Sequence, residues 1–394
     1  MSSPTLRPLL AGMLALAAAM GIGRFAYTPL LPIMQEAAGL DLTQAGFLAS
    51  ANYAGHLVGA LLAAAVLRPR QTGVLQVSAV AVVATTAVMA GTTDFAVWSV
   101  IRFLAGIASA GVFVIASSLV LDDLRRQGRA SLSGWLYSGV GLGIATSGIV
   151  VWATGGTLGW RGDWLLLALI AAAALVPCWR WLPQSPVVDA PEGGPARRLS
   201  GLAPRAFGLL FAAYFLEGLG YIVTGTFLVA IVEQMPGLAG LGAGVWIVAG
   251  LAAVPSAALW TASAGRVGYA RALTIAYLLQ AGGIALPLVG EAGAVFASAA
   301  LFGGTFIGIT ALTLTLAGHL APRRSAGLIG LLTASFGLGQ VLGPVLAGII
   351  ASRAQGFAPA LAGAALLVLL GGVLMLALPE ATASRQVGET ERTS

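Results

Sequence analysis

Long apolar runs alternate with short polar connections along the whole of this 394-residue chain. The runs fall at about 8–35, 44–67, 72–92, 95–121, 131–154 and 163–182, and again at about 205–234, 241–262, 270–289, 292–318, 325–352 and 357–379. A helix needs about 20 apolar residues to cross a hydrocarbon core. The pattern therefore predicts an all-α integral membrane protein with twelve transmembrane helices. Between the sixth and seventh runs lies a polar stretch rich in proline and glycine, with Asp189, Glu192, Arg197 and Arg198. The expected organisation is a six-helix bundle over 1–182, a cytoplasmic linker over 183–204, and a second bundle with a short cytoplasmic tail over 205–394.

Composition agrees with this picture. Charged residues are 9% of the chain and apolar residues 58%, against a globular norm of about 25% charged. A net charge of +6 would suggest nucleic acid in a soluble protein, but here the basic residues cluster in loops. With the N-terminus cytoplasmic, sixteen of the twenty arginines fall in cytoplasmic segments, Arg161 and Arg353 fall outside, and Arg24 and Arg102 lie within spans. The positive-inside rule then places both termini in the cytoplasm. An odd number of helices would destroy the asymmetry. Arg7 followed by Leu9 to Met20 has some likeness to a cleavable leader, yet the run continues to Met34, about 40 Å of helix, and reads as a tilted first span. Cys178 is the single cysteine, and His56 and His319 have no thiols near them, so neither an internal disulfide nor a metal site is expected.

The stretch Gly21-Ile22-Gly23-Arg24-Phe25-Ala26-Tyr27-Thr28-Pro29-Leu30-Leu31-Pro32 places polar chemistry inside the first apolar run. An arginine there costs several kcal/mol unless it faces a cavity or partner. Pro29 and Pro32 each remove a backbone donor, which protein or water must make good. Helical spacing puts Arg24, Tyr27 and Thr28 on one face, read here as the wall of a solute site. The same segment recurs at an offset of 197 residues, with Gly218-Leu219-Gly220-Tyr221 matching Gly21 to Arg24, and Gly303 and Gly308 matching Gly106 and Gly111. A common offset of half the chain predicts two halves related by an axis along the membrane normal, with a site between them.

At these residues the chain resembles the major facilitator superfamily over its whole length. Arg102-x-x-x-Gly106-x-x-x-Ala110-Gly111 is similar to that superfamily's fourth-helix pattern. Gly339-x-x-x-Gly343-Pro344-x-x-x-Gly348 resembles the glycine-proline pattern found in the fifth helix of its antiporters, and Gly265-Arg266-Val267-Gly268-x-x-Arg271 resembles its basic loop motif. The first-half copy of that loop, Arg68-Pro69-Arg70-Gln71-Thr72-Gly73, lacks the aspartate. Gly21-x-Gly23-Arg24-Phe25-x-Tyr27-Thr28-Pro29 with Glu217-Gly218-x-Gly220-Tyr221 looks like the YbfB/YjiJ-type branch. The resemblance implies a major facilitator fold and a secondary transporter working by alternating access.

The substrate-binding candidates are Arg24, Tyr27, Thr28, Asn52, Arg102, Tyr221, Trp246 and Gln340. Glu217, a mid-span carboxylate aligned one turn from Arg24, and His56, which titrates near neutrality, are the proton-coupling candidates. An Arg24–Glu217 contact across the cavity is expected. Arg266, Arg271, Asp122 and Arg125 are the gating candidates. Two intramembrane arginines against one carboxylate favour a small organic anion, carried with protons. The alternatives are proton-driven efflux of lipophilic or drug-like compounds, or a membrane sensor that binds solute without moving it. The chain shows no paired carboxylates, HExxH or nucleophile-base spacing, so no enzyme is expected. Neither a cofactor, a metal nor nucleic acid is called for. The expected setting is a monomer spanning the bilayer of a bacterial cytoplasmic membrane.

Overall fold

The computed structural model describes residues 6–155, 157–182, 204–320 and 325–378, with the side chains of 204, 319, 320, 325 and 326 left aside. The expected linker at 183–204 and tail beyond 378 thus lie almost wholly outside the described residues. Among the described residues, twelve helical spans are long and apolar enough to cross a membrane. They are α1 (Leu6–Ala38), α2 (Leu42–Ala64), α3 (Arg68–Gly91), α4 (Phe95–Arg126), α5 (Ala130–Thr154), α6 (Gly159–Trp181), α7 (Arg205–Glu233), α8 (Gly242–Val267), α9 (Tyr269–Val289), α10 (Ala292–Gly318), α11 (Gly327–Ala354) and α12 (Ala358–Leu376). The fourth span runs five residues further than hydrophobicity marks it. Asp122 to Arg126 continue the helix because its last turn has left the hydrocarbon, where charged side chains carry no penalty.

Lipid supplies no hydrophobic force between helices, so close packing rests on small residues. The halves pack by the same device at the same places. A Cβ on Gly106 of α4 would overlap the Asn52 carbonyl of α2, and one on Gly303 of α10 would overlap the Ala249 carbonyl of α8. Both members of the second contact stand 197 residues after their counterparts in the first. Gly111 and Gly308 do not repeat in this way, since one abuts Ser78 and the other Trp260. Gly304, the neighbour of Gly303, has nothing within 4 Å of its Cβ position. Gly303→Ala is therefore expected to lower the apparent melting temperature and monodisperse yield, as overpacking costs ~1–3 kcal/mol. Gly304→Ala is expected to change neither, and equal effects from the two would contradict this account.

The halves meet along two seams. In one, α2 lies on α11: Gly46 abuts Pro344, Gly348 abuts Leu42, and Leu57 reaches Gly337. In the other, α5 lies on α8: Gly141 abuts Gly250, and the Ser138 hydroxyl donates to the Val254 carbonyl at 2.5 Å. The glycine-proline segment of α11 serves two neighbours, with Gly339 and Gly343 against α7 and Pro344 and Gly348 against α2.

Candidate functional site

The first helix is not a continuous α-helix. Leu6–Leu16 is α-helical, Ala17–Ile22 is a wider π-turn, residues 23–26 form a turn, and Tyr27–Ala38 resumes the α-helix. Within the widened region Gly23 N–H reaches back to Ala18 and Phe25 N–H to Met20. No backbone N–H of the turn takes the carbonyls of Gly23 and Arg24. Such irregular backbone inside a membrane must find donors in the protein. Arg102 supplies them: its guanidinium donates to the Gly23 carbonyl at 3.5 Å, the Arg24 carbonyl at 3.3 Å and the Leu48 carbonyl at 3.4 Å, and its Cζ sits 4.8 Å above the Tyr27 ring.

Arg102 is accordingly buried at 1% exposure and ties α1 and α2 to α4. Every hydrogen bond of its guanidinium runs to the first half, none to the second. Asn52 has the same employment. Its amide donates to the Arg102 carbonyl at 2.9 Å. Tyr27 also turns inward to its own half, donating to the Ala45 carbonyl at 3.1 Å.

Arg24 instead crosses between halves. Its guanidinium donates to Gln340 Oε1 of α11 at 2.8 Å and lies 4.5 Å from the Tyr53 ring centroid, while Nε has no partner. The Gln340 amide donates in turn to the Tyr221 hydroxyl. Three residues singled out on separate helices are thus brought together, and no carboxylate pairs with Arg24 among the described residues. Around them lies an aromatic wall: Tyr221 stacks on Phe336 at 5.3 Å, Phe306 at 5.9 Å and Phe302 at 6.2 Å, and Phe25 meets Phe306 edge-on at 6.2 Å. Trp246 closes the wall beside Phe302 and donates across the second seam to the Ser147 hydroxyl at 3.1 Å. Phe302, Phe306 and Phe336 were not singled out from the sequence. The signal was there in the four-residue spacings Phe302 to Phe306 and Phe336 to Gln340, which put each pair on one helix face.

Thr28 lies one turn along α1 from Arg24 and donates to the Gly225 carbonyl of α7 at 2.6 Å, its exact counterpart at an offset of 197. Beyond it, at the end of the molecule that carries the α1–α2 and α7–α8 connections, opens a vestibule of about 870 Å³. Pro29, Pro32, Trp152 and Val229 line it, with three carboxylates, Glu36, Asp41 and Glu233. The Glu233 carboxylate also accepts the N–H groups of Gly240 and Gly242, and Asp41 caps α2. Thr28–Gly225 and the nearby Tyr53–Thr226 hydroxyl contact at 3.2 Å stand between this vestibule and Arg24. All of these side chains are buried, so the cluster is closed off in this conformation.

Neither proton candidate bonds to Arg24, although His56 lies within electrostatic reach of it. Glu217 is 1% exposed, its two carboxylate oxygens have no hydrogen-bond partner, and its polar neighbours are Gln280 and Tyr277 of α9 with Tyr214 one turn back and Tyr221 one turn on along α7. The expected Arg24–Glu217 contact is not made, because this face of α7 turns into its own half toward α9. His56 Nδ1 lies 3.1 Å from the Ser109 hydroxyl, which itself donates to the Gly106 carbonyl. The Ser109 hydroxyl can serve either Gly106 or Nδ1, so the two tautomers of His56 are both accommodated.

At the arginine-bearing end, Asp122 pairs with Arg68 at 3.6 Å and Arg125 at 3.4 Å, within the first half. Exposed pairs of this kind contribute ~0–1 kcal/mol. Arg266 and Arg271 are exposed around the α8–α9 turn in the second half. The four gating candidates are thus divided between the halves.

Twelve spans in two related halves, with a polar cluster bridging them at mid-depth, define a multi-pass membrane protein of the transporter class. The chain belongs to the family described as uncharacterised MFS-type transporter YbfB, whose model matches residues 16–376. A chloramphenicol resistance protein from Streptomyces lividans is 32% identical over 251 residues, 61% of this chain and 62% of that relative, so the match spans less than two thirds of the relative's length. Two crystal structures of the nucleoside transporter NupG share the fold. One, of a mutant, has a TM-score of 0.71 at 13% identity, covering 95% of this chain and 98% of the other, and the second scores 0.70 at 14%, covering 96% and 98%.

Proposed function

We propose that this chain moves a small organic anion with an apolar or aromatic body by alternating access, its charge held by Arg24 and Gln340 and its body laid against Tyr53, Tyr221 and Phe306. The observation that carries this reading is Arg24, a buried cation bonded across the halves to a neutral amide. An uncompensated charge in such surroundings costs several kcal/mol, and an anionic ligand relieves that cost. Because one ligand touches both halves, its binding favours their closure around it. Glu217 carries the coupled proton in this proposal, with His56 second.

The arginine-bearing end is the cytoplasmic one by the positive-inside rule, which makes the acidic vestibule external. With the buried Cys178 replaced by serine, cysteines at Leu158 and Glu291 should react with an impermeant thiol reagent added outside intact cells, and one at Gly193 should not. Labelling at Gly193 from outside would invert the orientation.

A second reading, export of a neutral drug-like compound, is favoured by the aromatic wall and the external carboxylates, which repel an incoming anion. The chloramphenicol resistance relative supports it too. A thermal-shift panel of aromatic carboxylates, chloramphenicol, nucleosides and sugars separates the two, since a ligand of the native state raises apparent stability. The anion reading expects the carboxylates to give the largest shifts, and stabilisation by the neutral amphiphiles alone would replace it. Reconstitution then separates transporter from sensor, as a sensor binds the hit without accumulating it.

A further inference from the structure

A groove of about 270 Å³ lies between α3, α4 and α6 at the arginine-bearing end, remote from the seams between halves. Its floor is apolar and buried, from Leu75, Ala79, Leu119 and Cys178. Its polar edge is Thr72, Gln76 and Arg180. Arg180 stands on the last turn of α6 beside the half-exposed Trp179, and it forms no ion pair with any described residue. Ala79 lies one turn of α3 further from the arginine-bearing end than Leu75, so the apolar floor extends inward from the polar edge.

We infer that this groove binds one anionic phospholipid, its phosphate on Arg180 and the start of an acyl chain over Leu75, Ala79 and Leu119. The parts sit in the order that such a lipid presents them. A guanidinium offers a planar fork that fits phosphate oxygens, and Thr72 and Gln76 add donors beside it. Tryptophan is at home at headgroup depth, and the apolar floor of Leu75, Ala79 and Leu119 suits an acyl chain. Among the described residues the groove lining contains no aspartate or glutamate, so the ammonium of a zwitterionic headgroup finds no partner among them. Basic pockets between helices at the cytoplasmic level have this use generally.

The test is native mass spectrometry of the full-length protein released from bilayers of equimolar phosphatidylglycerol and phosphatidylcholine. One phosphatidylglycerol is expected to be retained in clear preference to phosphatidylcholine. Arg180→Gln and Gln76→Ala should each reduce that retention several-fold, whereas Arg353→Gln, at the opposite end, should not. Arg180 forms no ion pair with any described residue, so its variant should insert normally. Equal retention of the two lipids, or undiminished retention in Arg180→Gln, would overturn the assignment. Displacement of the lipid by inorganic phosphate would also overturn it, by showing a site for free anions.

Discussion

Arg24→Ala is expected to weaken binding of the anion found in the thermal-shift panel by about two orders of magnitude, while the protein still inserts and stays monodisperse. Truncating one partner of a buried, hydrogen-bonded charge pair costs ~2–5 kcal/mol, and about 1.4 kcal/mol is a factor of ten. The fold should tolerate the change. Gln340 keeps its bond to Tyr221, and the carbonyls of the broken first helix are held by Arg102, not by Arg24. Titration calorimetry on the purified variant reads the affinity, and a melting curve reads the fold. Arg24→Lys retains the charge but loses the planar stacking on Tyr53, so an intermediate affinity is expected. Were Arg24 only a lock between helices, the alanine variant would melt earlier and bind as tightly as the parent.

The second large effect belongs to Glu217→Gln. The carboxylate lies among Tyr214, Tyr277 and Gln280 with no cation beside it, where an ionised carboxylate costs several kcal/mol and a neutral group far less. Glutamine has the shape of the neutral acid and cannot exchange a proton. The variant should bind substrate and carry out substrate-for-substrate exchange at parental rates. A one-proton coupling gives about tenfold accumulation per pH unit of gradient, and in the variant this should fall to no accumulation. Accumulation that stays tenfold would remove Glu217 from the coupling and pass the role to His56. Because Glu217 does not touch Arg24, coupling between them has to travel through α7. Gly218 follows Glu217 and packs on the Phe336 carbonyl, and Tyr221 stacks on that same Phe336. A rotation of α7 that changed the surroundings of Glu217 would therefore also move the substrate wall.

The sequence alone determined the count of spans, the asymmetry of the arginines and the internal offset of 197. Each of these depends on hydrophobicity and small residues read along the chain, and a bilayer tolerates few ways to thread such a pattern. It also marked Arg24, Tyr221 and Gln340, since polar groups are too costly in hydrocarbon to be placed there without a partner. What it left undecided was the direction in which each helix face turns. A soluble helix betrays its buried side by its apolar stripe, but a transmembrane helix is apolar all round. Arg24 and Arg102 therefore looked alike, and only the tertiary structure separated them. The π-turn and turn at 17–26 left two carbonyls that one arginine had to satisfy, freeing the other to reach across the halves. In the same way, Glu217 aligned with the neighbourhood of Arg24 along the chain, yet the rotation of α7 set it against α9 instead.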